Sequence, residues 1–368
     1  MILKSLELKN FRNYERESFT FDPGTNVLYG DNAQGKTNVL EAVFVGGTTK
    51  SHKGSKDSEL IKRGENEAHI RYTIEKEGRE TTVEFHLHRQ GKKGIAIDRI
   101  PIRNSEELLG LCHLVFFSPE DLGIIKEGPE TRRRFIDMEL CQMNKIYLHY
   151  LVDYRKNLKQ RNALLKQISE KPSLKETLEI WNDGLIKNGK KIISLRKDFI
   201  EMLQEIMKEK HFHLTGGAEE INMRYEPCVT EESFEEKLFL ATDRDVILGT
   251  TTVGPHRDDV AFLNGDEDIR KYGSQGQKRT AALSLKMAEI ELVERTIGEK
   301  PILLLDDVLS ELDRNRQNYL LEQIKGVQTL ITCTGLEEFI KNGVGIDKVF
   351  HIENGACITE DEKWLKQK

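Results

Sequence analysis

Residues 30–37 read GDNAQGKT, a match to the pattern G-x-x-x-x-G-K-S/T, set between a strand-like apolar run, NVLY, and a helical run, TNVLEAVFVGG. No other stretch narrows the fold so far. A loop of this kind works where a buried strand hands the chain to a helix, so that backbone N–H groups at the helix start surround phosphate oxygens. On that reading Gly30, Asp31, Asn32, Ala33, Gln34 and Gly35 form a phosphate cradle. Lys36 reaches the terminal phosphates, and the Thr37 hydroxyl is placed to ligate Mg²⁺. A chance match in a chain of this length is on the order of one per cent, so a plain glycine turn with a surface lysine is the weaker alternative.

A second stretch completes the first. In PILLLDDVLSELD the unbroken apolar run Ile302–Leu305 suits a parallel strand buried on both faces, and its end delivers Asp306 and Asp307. Alone, two acids after a strand read as a turn or a helix cap. Beside a phosphate loop, Asp306 reads as a Mg²⁺ holder acting through water, and Asp307 as the group that orients or deprotonates an attacking water. A third stretch, GSQGQKR (273–279), runs into the helical TAALSLKMAEI. A helix start offers unpaired N–H groups and a positive dipole end to an anion, although Ser274 is equally an ordinary helix cap.

The rest of the chain bounds what surrounds these motifs. Its 368 residues suffice for two domains, or for one domain with an insertion. The formal charge is -6, so contact with nucleic acid must come from a local patch. MILKSLELKN alternates apolar and charged residues, unlike a signal peptide, and no apolar run is long enough to span a membrane. Five cysteines without a Cys-x-x-Cys pair point to reduced thiols in a cytoplasmic protein and away from zinc.

The first hundred residues read as strands, including a hairpin around Glu77-Gly78, and the chain turns helical near FFSPEDLGIIKEGPETRRRFID. Between residues 145 and 200 there are 13 Lys+Arg against 6 Asp+Glu, a local +7 in a chain that is -6 overall. This segregation marks Arg155, Lys156, Lys159, Arg161, Lys187, Lys190 and Lys191 as candidate DNA-phosphate contacts, with Arg132 from the arginine triplet 132–134. Lys187, Lys190 and Lys191 share one helix face. The expected fold is α/β, a P-loop ATPase head built from 1–115 and 246–368, with a helical lobe, 116–245, inserted between the halves.

The ordered set of P-loop, Ser-x-Gly-Gln turn, apolar strand ending in acids and Ser310-Glu311-Leu312-Asp313 resembles ABC-type ATPase heads. More narrowly, the whole chain is similar to the RecF family of bacterial recombination mediators. The carrying stretches are LKNFRNY (8–14), GDNAQGKTNVLEA (30–42), FSPEDLGIIKEGPETRRRFID (117–137), GPHRDD (254–259), YGSQGQKRTAALSLKMAE (272–289) and LLLDDVLSELD (303–313). The resemblance implies ATP and Mg²⁺ as cofactors, with Arg12 a further nucleotide contact. It makes Ser274, Gly276 and Gln277 contacts to ATP bound by a second copy, in an ATP-dependent homodimer. It also implies binding to double-stranded or gapped DNA, or to a single/double-strand junction, and work with RecO- and RecR-type partners in loading a recombinase.

Three departures from the general ABC pattern point to slow hydrolysis used as a switch, and the resemblance implies that DNA stimulates it. Asp307 stands where many heads have Glu, the segment FFSPEDLG has no lid glutamine, and Thr334 occupies the usual place of a histidine. Glu120, in that segment, is the second candidate for general base. A transporter ATPase subunit fits these features poorly. An SMC-like tether would need a far longer coiled coil than the helical insert of about 65 residues.

Overall fold

The helix after the loop, Lys36–Thr48, has no polar side, and every residue from Val39 to Thr48 is buried. Such a helix must be covered from more than one direction. Each fully buried Val, Leu or Phe then contributes about 1.5–3 kcal/mol. In this computed structural model, which describes residues 1–168, 170–336 and 345–362, the chain divides into two compact units, Met1–Asp121 with Glu289–Lys368, and Leu122–Ala288.

In the first unit two six-stranded sheets enclose that helix. One is antiparallel, in the order Tyr14–Thr20, Ile2–Phe11, Glu67–Lys76, Arg79–His88, Gly94–Ile97, Ile100–Pro101. The other runs Ala356–Glu362, Lys348–Glu353, Thr25–Tyr29, Thr329–Cys333, Ile302–Asp306, Leu114–Phe117, and is parallel except for its first strand. Two consecutive glycines let the helix touch both sheets. A Cβ on Gly46 would lie 2.7 Å from the Tyr72 ring of the antiparallel sheet, and one on Gly47 would lie 2.5 Å from a Leu114 methyl of the parallel sheet. The Tyr72 hydroxyl donates to the Gly46 carbonyl at 2.7 Å. The segment ESFTFDPGTNVLYG is therefore strand, turn and strand as expected, but its two strands belong to different sheets.

The second unit is built on two long helices, Lys145–Ile168 and Leu178–Thr215, packed on each other and closed at one end by Leu165, Ile168 and Leu178. A three-stranded antiparallel sheet, Glu267–Asp268, Asp259–Asn264 and Asn222–Glu226, joins them. The Gln204 amide of the longer helix donates to Asn222 at 3.0 Å and so ties the sheet down. Packing thus divides the chain at 121/122 and 288/289, and the segment 246–288, expected in the head, groups with the helices.

GPHRDD explains much of that regrouping. Asp258 accepts from Arg196 at 2.9 Å and from the Tyr225 hydroxyl, while Asp259 takes both ends of Arg132 at 2.6 and 3.1 Å. This corrects one expectation: Arg132 is 2% exposed and spends its charge inside the unit, so it is not a DNA contact. Arg161 is corrected in the same way. It is fully buried, donating to Asp245 at 2.7 Å, Thr251 at 2.8 Å and Asn182 at 2.7 Å. A guanidinium enclosed in this way is retained because its charge and most of its protons are matched.

Candidate nucleotide-binding site

The strand Thr25–Tyr29 ends at the loop, and Ile302–Asp306 lies two places along the same sheet, with Thr329–Cys333 between them. Ligands of parallel sheets bind outside the carboxyl ends of the strands, and the loop and both acids emerge there. The loop is braced from two sides. The Asn13 amide donates to the Gln34 carbonyl at 2.9 Å and the Tyr14 hydroxyl to the Gly35 carbonyl at 3.1 Å. From the turn after Lys348–Glu353, the Gly355 N–H donates to the Gln34 carbonyl at 2.9 Å and the Asn354 N–H to the Gln34 side chain at 2.7 Å. Gly35 has φ 118°, and a Cβ there would meet the Asn13 amide at 2.6 Å, so this position requires glycine.

Lys36 is buried and folds back over the loop, its ammonium donating to the carbonyls of Gly30 at 2.6 Å and Asp31 at 2.8 Å. Among the described residues no side chain caps the start of Lys36–Thr48, and its first turn holds no acid. Its start is therefore left open to an anion. Asp31, Asn32 and Ala33 form the exposed crest of the loop.

The Thr37 hydroxyl donates to Asp306 Oδ1 at 2.8 Å, which leaves its lone pairs for a cation. One hydroxyl and one carboxylate are a sparse donor set, and among the described residues there is no cluster of three or more His, Cys, Asp or Glu suited to a metal. That sparseness fits Mg²⁺, which keeps waters and takes its other ligands from substrate phosphates. Asp307 adopts φ 51°, a left-handed conformation uncommon outside glycine, which aspartate, asparagine and histidine adopt more often than other side chains do. Burial, then the charge of Asp306, push its carboxyl above the usual aspartate range, with Lys36 opposing.

Other expected residues fall in several places. Arg12 makes a bidentate pair with the fully buried Glu41 at 2.7 Å, and donates to Ser55 at 2.8 Å and the Glu59 carbonyl at 2.9 Å. Burial alone would raise the Glu41 carboxyl, but the hydrogen bonds of Arg12 and Ser51 outweigh it and hold it below the usual range. With four of its five N–H donors engaged in this way, Arg12 anchors the P-loop helix and keeps one Nη1 proton for the nucleotide contact expected of it. Glu120 is exposed in the turn Pro119–Asp121 that follows Leu114–Phe117, the strand beside Ile302–Asp306.

Ser274 and Gln277 cap each other: the Ser274 N–H donates to the Gln277 side chain at 2.8 Å, and the Gln277 N–H donates to the Ser274 hydroxyl at 3.2 Å. Ser274 and Gly276 are exposed. Of the basic candidates, Lys156, Lys159, Lys187 and Lys191 are exposed. Arg155 is exposed but donates to Asp137 at 2.7 Å, and Lys190 stands 3.9 Å from Glu235. Sequence reasoning missed the braces Asn13, Tyr14 and Asn354, and also Thr332. The only signal was that the first two lie in LKNFRNY.

Comparison with known proteins agrees with this geometry. Residues 2–357 match the family model described as RecF/RecN/SMC N terminal domain. The chain is 57% identical to the DNA replication and repair protein RecF of Lachnoclostridium phytofermentans over 356 residues, 97% of this chain and 99% of that protein. It is 55% identical to the RecF of Agathobacter rectalis over 362 residues, 98% of this chain and 100% of that protein. A solved structure of the recombination mediator protein RecF with ATP, in the RecFOR pathway, superposes with a TM-score of 0.90 at 37% identity, covering 98% of this chain and 97% of that one. With a P-loop braced for phosphate, two acids at its side and this likeness along nearly its whole length, the chain belongs to the RecF family of DNA replication and repair proteins, an ABC-type ATPase family.

Proposed function

We propose that the protein is an ATP-dependent mediator of recombinational DNA repair that uses ATP as a switch. The observation that supports this most is the hydrogen bond of Thr37 to Asp306, at 2.8 Å, beside a buried Lys36 and an Asp307 held in a left-handed turn. On this reading Lys36 and the helix N–H groups bind the phosphates, and Thr37 and Asp306 hold Mg²⁺. The cation neutralises charge on the transferring phosphoryl group when bound. Asp307 orients the attacking water and takes its proton; Glu120 is the second choice for that proton.

Hydrolysis is weak and stimulated by DNA. ATP joins two copies head to tail, with Ser274, Gly276 and Gln277 of each copy against the nucleotide of the other. The head and its helical lobe then divide the work. Lys156, Lys159, Lys187, Lys190 and Lys191, with Arg155, give sequence-independent contacts to the phosphates of duplex or gapped DNA. RecO- and RecR-type proteins are the partners in loading a recombinase, and the compartment is the cytoplasm. Among the described residues no helix is long and apolar enough to cross a membrane.

Sizing of the protein with ATP and Mg²⁺, with and without duplex or gapped DNA, tests the reading. The parent should dimerise only with nucleotide and should be retained on DNA. Lys36→Ala should do neither in response to ATP, and equal behaviour of the two proteins would overturn the proposal.

A further inference from the structure

Thr332 lies outside every motif legible in the sequence. It sits in Thr329–Cys333, between the strand that carries the loop and the strand that carries the acids, and the parallel register sets it beside Leu28 on one side and Asp306 on the other. It is 1% exposed. Its hydroxyl donates to Asp306 Oδ1 at 2.7 Å and accepts from the Asp307 N–H at 2.9 Å.

We infer that Thr332 is the positioning residue that holds both acids in working geometry, through one hydroxyl that grips the side chain of Asp306 and the backbone of Asp307. Asp306 Oδ1 takes two hydroxyl protons, from Thr37 and Thr332, which fixes the rotation of the carboxylate. Asp307, at φ 51°, is in a conformation that costs on the order of 1–3 kcal/mol and persists only because its surroundings impose it. Two bonds impose it: its N–H to Thr332, and its carbonyl accepting from the Ser310 hydroxyl at 2.8 Å. Without the first, the residue can relax to negative φ and swing its carboxyl away from the loop. The inference rests on ATP hydrolysis at this site and adds the element that aligns it.

Thr332→Val keeps the shape and removes only the hydroxyl. It should lower kcat by about tenfold or more, since a misplacement of about 1 Å in a reacting group costs up to roughly a hundredfold. The Kd for ATP measured without Mg²⁺ should stay within about threefold of the parent, because Lys36 and the loop are untouched. Thr332→Ser, which restores the hydroxyl and loses a buried methyl, should return kcat to within about threefold of the parent while lowering Tm. If valine at this buried site gives no folded protein, Thr332→Cys against Thr332→Ser repeats the comparison with smaller side chains, the thiol being a poor hydrogen-bonding group.

A valine variant that hydrolyses ATP at the parent rate overturns the role of Thr332, as does a serine variant as slow as valine, which would make this a packing site only. A parent no faster than Lys36→Ala would instead overturn the hydrolytic reading itself, and the role of Thr332 with it.

Discussion

At the scale of single residues the site stores a conflict. Asp306 and Asp307 are adjacent acids, the second half-buried and in a left-handed turn, and its carboxyl titrates above the usual aspartate range. In the window between the ordinary and the raised value the folded chain holds the proton more tightly than the unfolded chain does. Stability contributed by protonated Asp307 is therefore lost as pH rises through that window, and the ionised group is a liability at neutral pH. Asp307→Asn should then do two things. Hydrolysis should fall by about two orders of magnitude or more, the usual range for loss of a general base, while ATP still binds. The nucleotide-free protein should also melt higher than the parent near neutral pH, since asparagine carries no charge and, like aspartate, tolerates positive φ. The charge part of that gain should vanish below the ordinary carboxylate range, where the parent aspartate is protonated in both states. Melting curves at two pH values check the second claim and ATP turnover the first. Turnover at the parent rate would move the general-base role to Glu120.

The elements show what a sequence can and cannot reveal. The P-loop and the acid-bearing strand were legible because each encodes its geometry locally, in a short pattern with fixed spacing. Thr332 was not, because its value comes from a strand register set by residues far along the chain, Asp306 being 26 positions away. The basic helices misled in the opposite direction. Arg132 and Arg161 look like their neighbours in the sequence, and the acids that absorb them lie 127 and 84 residues away.

The exposed lysines are the ones to test as a DNA face. Reversal of Lys187, Lys190 and Lys191 to Glu should weaken duplex binding and leave ATP affinity unchanged. The slope of log K against log salt should flatten by about 0.9 for each DNA phosphate that is no longer neutralised. Lys187 and Lys191 should carry most of the effect, since Lys190 is partly offset by Glu235 at 3.9 Å. An unaltered slope would make this a solvated helix face. Arg161 is the control that must not be confused with them. Loss of one partner of a buried ion pair costs about 3–5 kcal/mol, so Arg161→Gln should weaken DNA binding only by lowering Tm.

For the molecule as a whole, the question left by the sequence is why an exposed Ser-Gln-Gly-Gln turn heads a helix that is otherwise largely buried. Within one chain the turn is self-sufficient, since Ser274 and Gln277 cap each other at 2.8 and 3.2 Å. A cap alone needs neither the exposure of Ser274 nor a Gly276 around which a Cβ would find only the Ser274 hydroxyl, at 3.8 Å. An open surface with no side chain, at the positive end of a helix, suits close approach of an anion from outside. If that anion is the terminal phosphate on a second copy, Ser274→Arg separates the two roles of the turn. Each monomer should still bind ATP, because Lys36, Thr37 and their braces are untouched. Loss of the cap should cost about 1 kcal/mol, too little to unfold a chain of this size. The ATP-induced dimer should nevertheless disappear on a sizing column, since a long cationic side chain would fill the space needed by the phosphate, and turnover should fall with it because each site is completed by the other copy. A Ser274→Arg protein that binds ATP and dimerises as well as the parent would show that the turn only caps a helix, and the head-to-tail arrangement would have to be built from other residues.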